Sequence, residues 1–168
     1  KFSLNLTLLN RLPLDPQVND IVGDFTSVNL LEVDLEKEKS FEVQSEEVQK
    51  QLFKDLDHRT FSGVEVLREI TRKRGKDAAL MPIVFTSAIG LVQNKNLKGK
   101  ISGYGISQTP QVFIDCQTMD SENGLRINWD IRKGVFNDKV VQDIFNSFKG
   151  LMYDLVNNDD VWKREEII

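Results

Sequence analysis

Apolar and polar residues alternate from the first positions of the chain. Phe2, Leu4, Leu6 and Leu8 fall on one side of a period of two, which predicts a half-buried strand over residues 2–9. Residues 10–24 carry two prolines, two asparagines and a glycine and read as a loop. A second strand follows over 25–35, where Val28, Leu30, Val33 and Leu35 are apolar; a slip in the alternation at Leu30-Leu31 is consistent with a bulge. The period then lengthens. Val48, Leu52 and Leu56 recur every four residues, predicting a helix that starts near Ser45. Ser62 and Glu65 have capping-box spacing at the start of a second helix, with Phe61 and Val66 placed for a hydrophobic staple and Gly75 as a stop after a basic last turn.

Residues 81–91 are too continuously apolar for a surface strand and predict a buried one, with Pro82 at its start. Residues 92–105 read as a loop, and two further strands are expected over 110–119 and 125–131, joined by a turn through 120–124. Over 138–157, Val141, Ile144, Phe145, Phe148, Leu151, Met152 and Leu155 form one stripe, the strongest helical pattern in the chain. Strands interleaved with helices give a mixed α/β (α+β) sheet layered with helices, a sandwich architecture.

Composition narrows the function classes. The 168 residues fit one domain or one lobe, and with 40% hydrophobic residues a core can form. A net charge of −4 gives no general attraction for nucleic acid or acidic lipid, so neither nucleic acid nor membrane is expected as a partner. Arg68, Arg72, Lys73, Arg74 and Lys76 form a local exception. They complement a helix C-terminus, with a phosphate-binding patch as the alternative. One cysteine excludes an internal disulfide and is compatible with a cytoplasmic setting. No apolar run reaches bilayer-spanning length, and a chain opening inside a strand without Met reads as cut from a longer polypeptide.

Generic catalytic motifs are absent: there is no Walker loop, GxGxxG or GxSxG. The single His58 reads as a helix-end residue, and one His with one Cys makes a metal site unexpected. Cys116 shares parity with Val112 and Ile114 and reads as core-facing, whereas Asp115 shares the other face with Gln111, Phe113 and Gln117. A carboxylate within such a β-forming run is costly unless solvated or hydrogen-bonded, so Asp115 is either exposed structure or functional. Thr86 and Ser87 sit in the buried-looking strand, where hydroxyls often just bond a backbone carbonyl. Asn128 and Asp130 alternate outward from the apolar Leu125, Ile127, Trp129 and Ile131, which is also ordinary strand amphipathicity.

Taken together and in order, several segments change this picture. They are Gly23–Thr26 (GDFT), Asp55–Glu69 (DLDHRTFSGVEVLRE), Leu80–Ser87 (LMPIVFTS), Ile106–Asp115 (ISQTPQVFID) with Gln117, and Asn128–Asp130 (NWD). The set resembles the later motifs of heterocyclisation domains, members of the condensation-domain superfamily of nonribosomal peptide synthetases. The resemblance implies one of two chloramphenicol-acetyltransferase-like lobes that flank a tunnel, with residues 1–168 as the C-terminal lobe. The D-x4-D-x2-S motif expected of the first lobe does not occur: Asp15 and Asp20 are followed by Gly23, and Asp115 and Asp120 by Asn123. The HHxxxDG signature of ordinary condensation domains is also missing.

The resemblance further implies a reaction in two parts. A carrier-bound Cys, Ser or Thr forms an amide with an upstream acyl thioester, and its side chain then closes a thiazoline or oxazoline ring with loss of water. Asp115 matches the position assigned to proton shuttling and Thr86 the position that orients substrate or that carboxylate. Gln111, Asn128 and Ser87 are then expected to bind substrate. The lobe is expected to bind no cofactor or metal of its own, because its substrates ride on the phosphopantetheine of carrier domains. The implied partners are the N-terminal lobe, the upstream and downstream carrier domains and an adenylation domain. An ordinary amide-forming condensation lobe, and a lobe that only docks carriers or serves as structure, are the competing readings.

Overall fold

The computed structural model describes residues 1–35, 38–90, 109, 111–121 and 124–165. Five strands, β1 (Phe2–Leu9), β2 (Thr26–Val33), β3 (Ile83–Ala88), β4 (Ile114–Ser121) and β5 (Gly124–Ile131), form one mixed sheet in the order β2-β1-β3-β4-β5. Among the described residues four α-helices accompany them: α1 (Phe41–Asp57), α2 (Gly63–Arg74), α3 (Asp138–Asn157) and the short α4 (Asp159–Trp162). β3 pairs in parallel with both β1 and β4, and β5 returns antiparallel to β4. Asn10 N donates to Phe25 O at 2.8 Å, while the Lys1 ammonium lies 2.9 Å from Asp34. The start of β1 therefore lies by the end of β2, and those two strands run antiparallel.

The chain divides into two compact units. Residues 4–30 and 60–131 make up one of them, which contains α2, β3, β4, β5 and most of β1 and β2. Here the Ser62 hydroxyl accepts from Glu65 N, and the Glu65 carboxylate returns to Ser62 N at 2.7 Å, so the expected capping box is complete. At the far end Gly75 adopts φ +89° and its N–H reaches Thr71 O at 2.9 Å, the expected stop. Arg72 pairs with Glu69 at 2.7 Å in the same basic last turn. Gly63 opens α2 directly against β2. A Cβ at that position would stand 2.9 Å from Val28 O and 3.2 Å from Leu30 Cγ.

Residues 1–3, 31–59 and 132–168 make up the other unit. Its buried apolar residues are Leu31 and Val33 from β2, Leu155 from α3 and Val161 beside it in α4. Trp162 Nε1 donates to Leu155 O at 2.8 Å, and the Trp162 ring meets Phe41 edge-on with centroids 5.2 Å apart. α3 spans the residues that its apolar stripe predicts, and Asn137 caps it by accepting from Lys139 N at 2.9 Å.

Several boundaries differ from those read along the chain, three of them with a cause visible in the hydrogen bonds and turns. α1 begins four residues before Ser45, because Ser40 is the cap: its hydroxyl accepts from Val43 N, and its carbonyl accepts from Gln44 N at 3.0 Å. Ser45 instead bonds back to Phe41 O at 2.7 Å from within the helix. β3 stops at Ala88, where Ile89-Gly90 turn with Gly90 at φ +76°. β4 starts at Ile114 rather than 110, because Val112 N bonds to Thr109 O in a turn and the Phe113 and Ile114 N–H groups both reach Pro82 O. The loop expected over 92–105 lies outside the described residues, as do the two central residues of the β4–β5 turn.

Candidate functional site

The register of the sheet sorts its side chains. Paired residues on neighbouring strands project to the same face, and successive residues alternate. Val84 pairs with Asp115, and Asp115 with Asp130; Thr86 pairs with Gln117, and Gln117 with Asn128. On the other side Asn5 pairs with Val84 and Thr7 with Thr86. Two rows thus cross one face: Asn5, Val84, Asp115 and Asp130, then Thr7, Thr86, Gln117 and Asn128. The opposite face is apolar at its centre, with Leu6, Phe85, Cys116 and Trp129 in register. The expectation that Cys116 and Trp129 face the apolar side, and Asp115 and Asn128 the other, follows the same parity.

Asp115 and Thr86 therefore stand on one face of adjacent strands as diagonal neighbours, on the order of 8 Å apart between Cα atoms from strand spacing and rise. Asp115 is half-buried and its two oxygens are treated differently. Oδ2 accepts from Gln117 Nε2 at 2.9 Å, whereas Oδ1 is buried and accepts no hydrogen bond from any described residue. The Thr86 hydroxyl donates to Thr7 Oγ1 at 2.9 Å. In the adjoining row, Asn5 is anchored by its Nδ2, which donates to Met81 O. Two oxygens of this row, Asn5 Oδ1 and Asp115 Oδ1, are buried and accept no hydrogen bond from any described residue, and of the two only Asp115 carries a carboxylate.

The other expected site residues divide. Asn128 joins the face, exposed and opposite Gln117. Ser87 lies on the opposite face, in register with Thr118, and is exposed. Gln111 is exposed in the turn before β4, so strand alternation does not carry it onto the face of Asp115. Thr7 and Gln117 are the contributions that reading the sequence left out of the site. Gln117 carried a signal, since it shares parity with Asp115. Thr7 carried none, because its pairing with Thr86 spans most of the unit.

Cys116 faces away from this row. Burial pushes its thiol above the ordinary range, a hydrogen bond with Trp129 acts against that, and the neighbouring Asp115 charge adds to it. A thiol shifted upward is protonated near neutral pH and is a poor nucleophile. Iodoacetamide is expected to label Cys116 far more slowly in the folded protein than after unfolding in urea. Equal rates, read by mass spectrometry, would show an accessible thiol of ordinary reactivity instead. Among the described residues no three His, Cys, Asp or Glu side chains gather as metal ligands, and no helix is long and apolar enough to cross a membrane.

The arrangement of strands and helices matches known synthetase structures. The cyclization-docking bidomain of EpoB from Sorangium cellulosum superposes with a TM-score of 0.76 at 38% identity, over 93% of this chain and 32% of that one. The fold is accordingly the chloramphenicol-acetyltransferase-like one on which condensation and cyclisation domains of nonribosomal peptide synthetases are built.

Sequence relatives carry the identification further. Pyochelin synthetase PchF of Pseudomonas aeruginosa is 48% identical over 164 residues, covering 96% of this chain and 9% of that protein. Phenyloxazoline synthase MbtB of Mycobacterium tuberculosis is 38% identical over 166 residues, covering 96% of this chain and 12% of that protein. No protein-family model matches the chain. The chain belongs to the heterocyclisation branch of the condensation-domain family. It spans about a tenth of the length of these curated relatives.

Proposed function

We propose that this chain is the C-terminal lobe of a heterocyclisation domain and works with an N-terminal lobe, carrier domains and an adenylation domain of one cytoplasmic synthetase. The observation that carries the reading is Asp115: a carboxylate on the same sheet face as Thr86, with one oxygen held by Gln117 and the other buried and unengaged. An amide-forming step needs chiefly that an amine be placed beside a reactive thioester. Ring closure needs more. The Cys, Ser or Thr side chain adds to the new amide carbonyl, a C–S or C–O bond forms, and the carbonyl oxygen becomes a hydroxyl. That hydroxyl then leaves as water while nitrogen loses its proton and the C=N bond forms.

The Asp115 carboxylate takes the nitrogen proton and supplies one to the departing hydroxyl, so one group in two protonation states serves both transfers. Thr86, fixed by Thr7, orients the substrate or the carboxylate from the next strand. Asn128 offers a side-chain amide on the open side of the same face. Gln111 and Ser87 have no place in this step. The lobe needs no cofactor of its own for proton transfer, since its substrates arrive as thioesters on phosphopantetheine.

The test is the mass of the carrier-bound product in the intact synthetase, supplied with its acyl donor and with Cys, Ser or Thr. A species lighter than the linear peptide by one water is the expected result. A product that stays linear would make this an ordinary condensation lobe, and the absence of any new bond would leave a docking or structural lobe.

A further inference from the structure

We infer that Gln117 is a positioning residue for ring closure, one that fixes the orientation of the Asp115 carboxylate; this rests on the proposed role of Asp115. The juxtaposition is local and directional. Gln117 follows Asp115 by two residues on β4, so both side chains leave the same face. Its Nε2 donates to Oδ2 at 2.9 Å, a hydrogen bond to a charged acceptor and therefore among the stronger kinds. An aspartate without that donor can turn its carboxylate plane about the last side-chain torsion, which is broad. With the donor in place, the plane of the carboxylate is held through Oδ2, while Oδ1 is buried and accepts no hydrogen bond from any described residue.

Position across the sheet adds a second reason. Gln117 stands in register between Thr86 on β3 and Asn128 on β5. It is the residue through which the carboxylate row meets the hydroxyl row, next to the one residue and bonded to the other. Thr86 is already engaged by Thr7 at 2.9 Å, and no bond from Gln117 to it is needed to hold it. The Gln117 carboxamide is thereby committed to the carboxylate. Asp130, paired with Asp115 across the hairpin, brings a second carboxyl group to the same row. Opposed like charges repel, which gives a neutral donor at residue 117 a further role in keeping Asp115 in place.

Two variants of the intact synthetase separate positioning from packing. Gln117→Leu keeps bulk and removes the donor; Gln117→Glu keeps the shape and sets an acceptor against an acceptor. Both are expected to slow ring closure about tenfold, the order associated with a hydrogen bond to a charged group. Amide formation should be unchanged, so linear peptide accumulates on the carrier, and Glu should be at least as harmful as Leu. Added to Asp115→Asn, Gln117→Leu should cost nothing more, because the group it positions is gone.

Unchanged amide formation also certifies that each variant is folded. The inference is overturned if Gln117→Glu closes rings at the unsubstituted rate. It is equally overturned if amide formation falls in step with ring closure, or if the Leu loss multiplies with that of Asp115→Asn. If Asp115→Asn itself closes rings normally, the catalytic reading fails first and this inference falls with it. A defect from Asp115→Asn without one from either Gln117 variant removes this inference alone.

Discussion

Asp115→Asn in the intact synthetase is expected to leave amide formation largely in place and to slow ring closure roughly 10²–10⁴-fold, the usual loss when a positioned general acid or base is removed. The asymmetry comes from what each step requires. Amide formation starts from a reactive thioester, where proximity supplies much of the rate. Ring closure starts from an unreactive amide and must expel water. The Gln117 donor decides how the replacement sits: it draws the new carbonyl oxygen to the place of Oδ2 and leaves the NH2 where Oδ1 was. That NH2 can neither accept nor shuttle a proton. Mass spectrometry of the carrier-bound species should show linear peptide one water heavier than the ring. Equal losses in both steps, or no loss in either, would remove Asp115 from the proposed role.

Gly63→Ala is expected to destabilise the fold by about 1–3 kcal/mol, the range for forcing an extra carbon into a packed site. The added Cβ would meet Val28 O at 2.9 Å and Leu30 Cγ at 3.2 Å, and one of these contacts is backbone that cannot rotate aside. Relief requires α2 to lift from β2 at the turn fixed by the Ser62–Glu65 box. Gly150→Ala is the control. It lies inside α3 with nothing within 4 Å of its Cβ, so removing backbone freedom should stabilise by roughly 0.5–1 kcal/mol. Thermal denaturation of the two variants should shift in opposite directions. A shift of the same sign in both would mean that α2 is not seated on β2 as described.

Local signals along the chain were readable and long-range ones were not. α3 matches its stripe because seven apolar residues share one helical face. The box at Ser62 and the stop at Gly75 depend on neighbours a few residues away. The reading of a start near Ser45 passed over Ser40, whose hydroxyl accepts from Val43 N, while Ser45 donates back to Phe41 O from within the helix. Gln111 seemed to continue the alternation of β4, but the Thr109–Val112 turn breaks it. That Asp115, Thr86 and Asn128 share one face of the sheet was legible through parity and motif together. Ser87 was misplaced by its adjacency to Thr86, since in a strand the next residue always faces away. Thr7 was invisible because its partner lies 79 residues on, a pairing that no local pattern encodes.

The β4–β5 ladder keeps eight residue pairs in step, from Ile114↔Ile131 to Ser121↔Gly124. This fixes an arithmetic of insertion and deletion for anyone recombining such segments between synthetases, or for a lineage exploring length changes. Losing or gaining one residue within β5 ahead of Asn128 would reverse which residues look toward the carboxylate, placing the indole of Trp129 there and sending Asn128 behind the sheet. A change of two residues restores the pattern. Splice points in this hairpin are therefore quantised in pairs, whereas a junction in the exposed turn at Ile89-Gly90 carries no such parity rule.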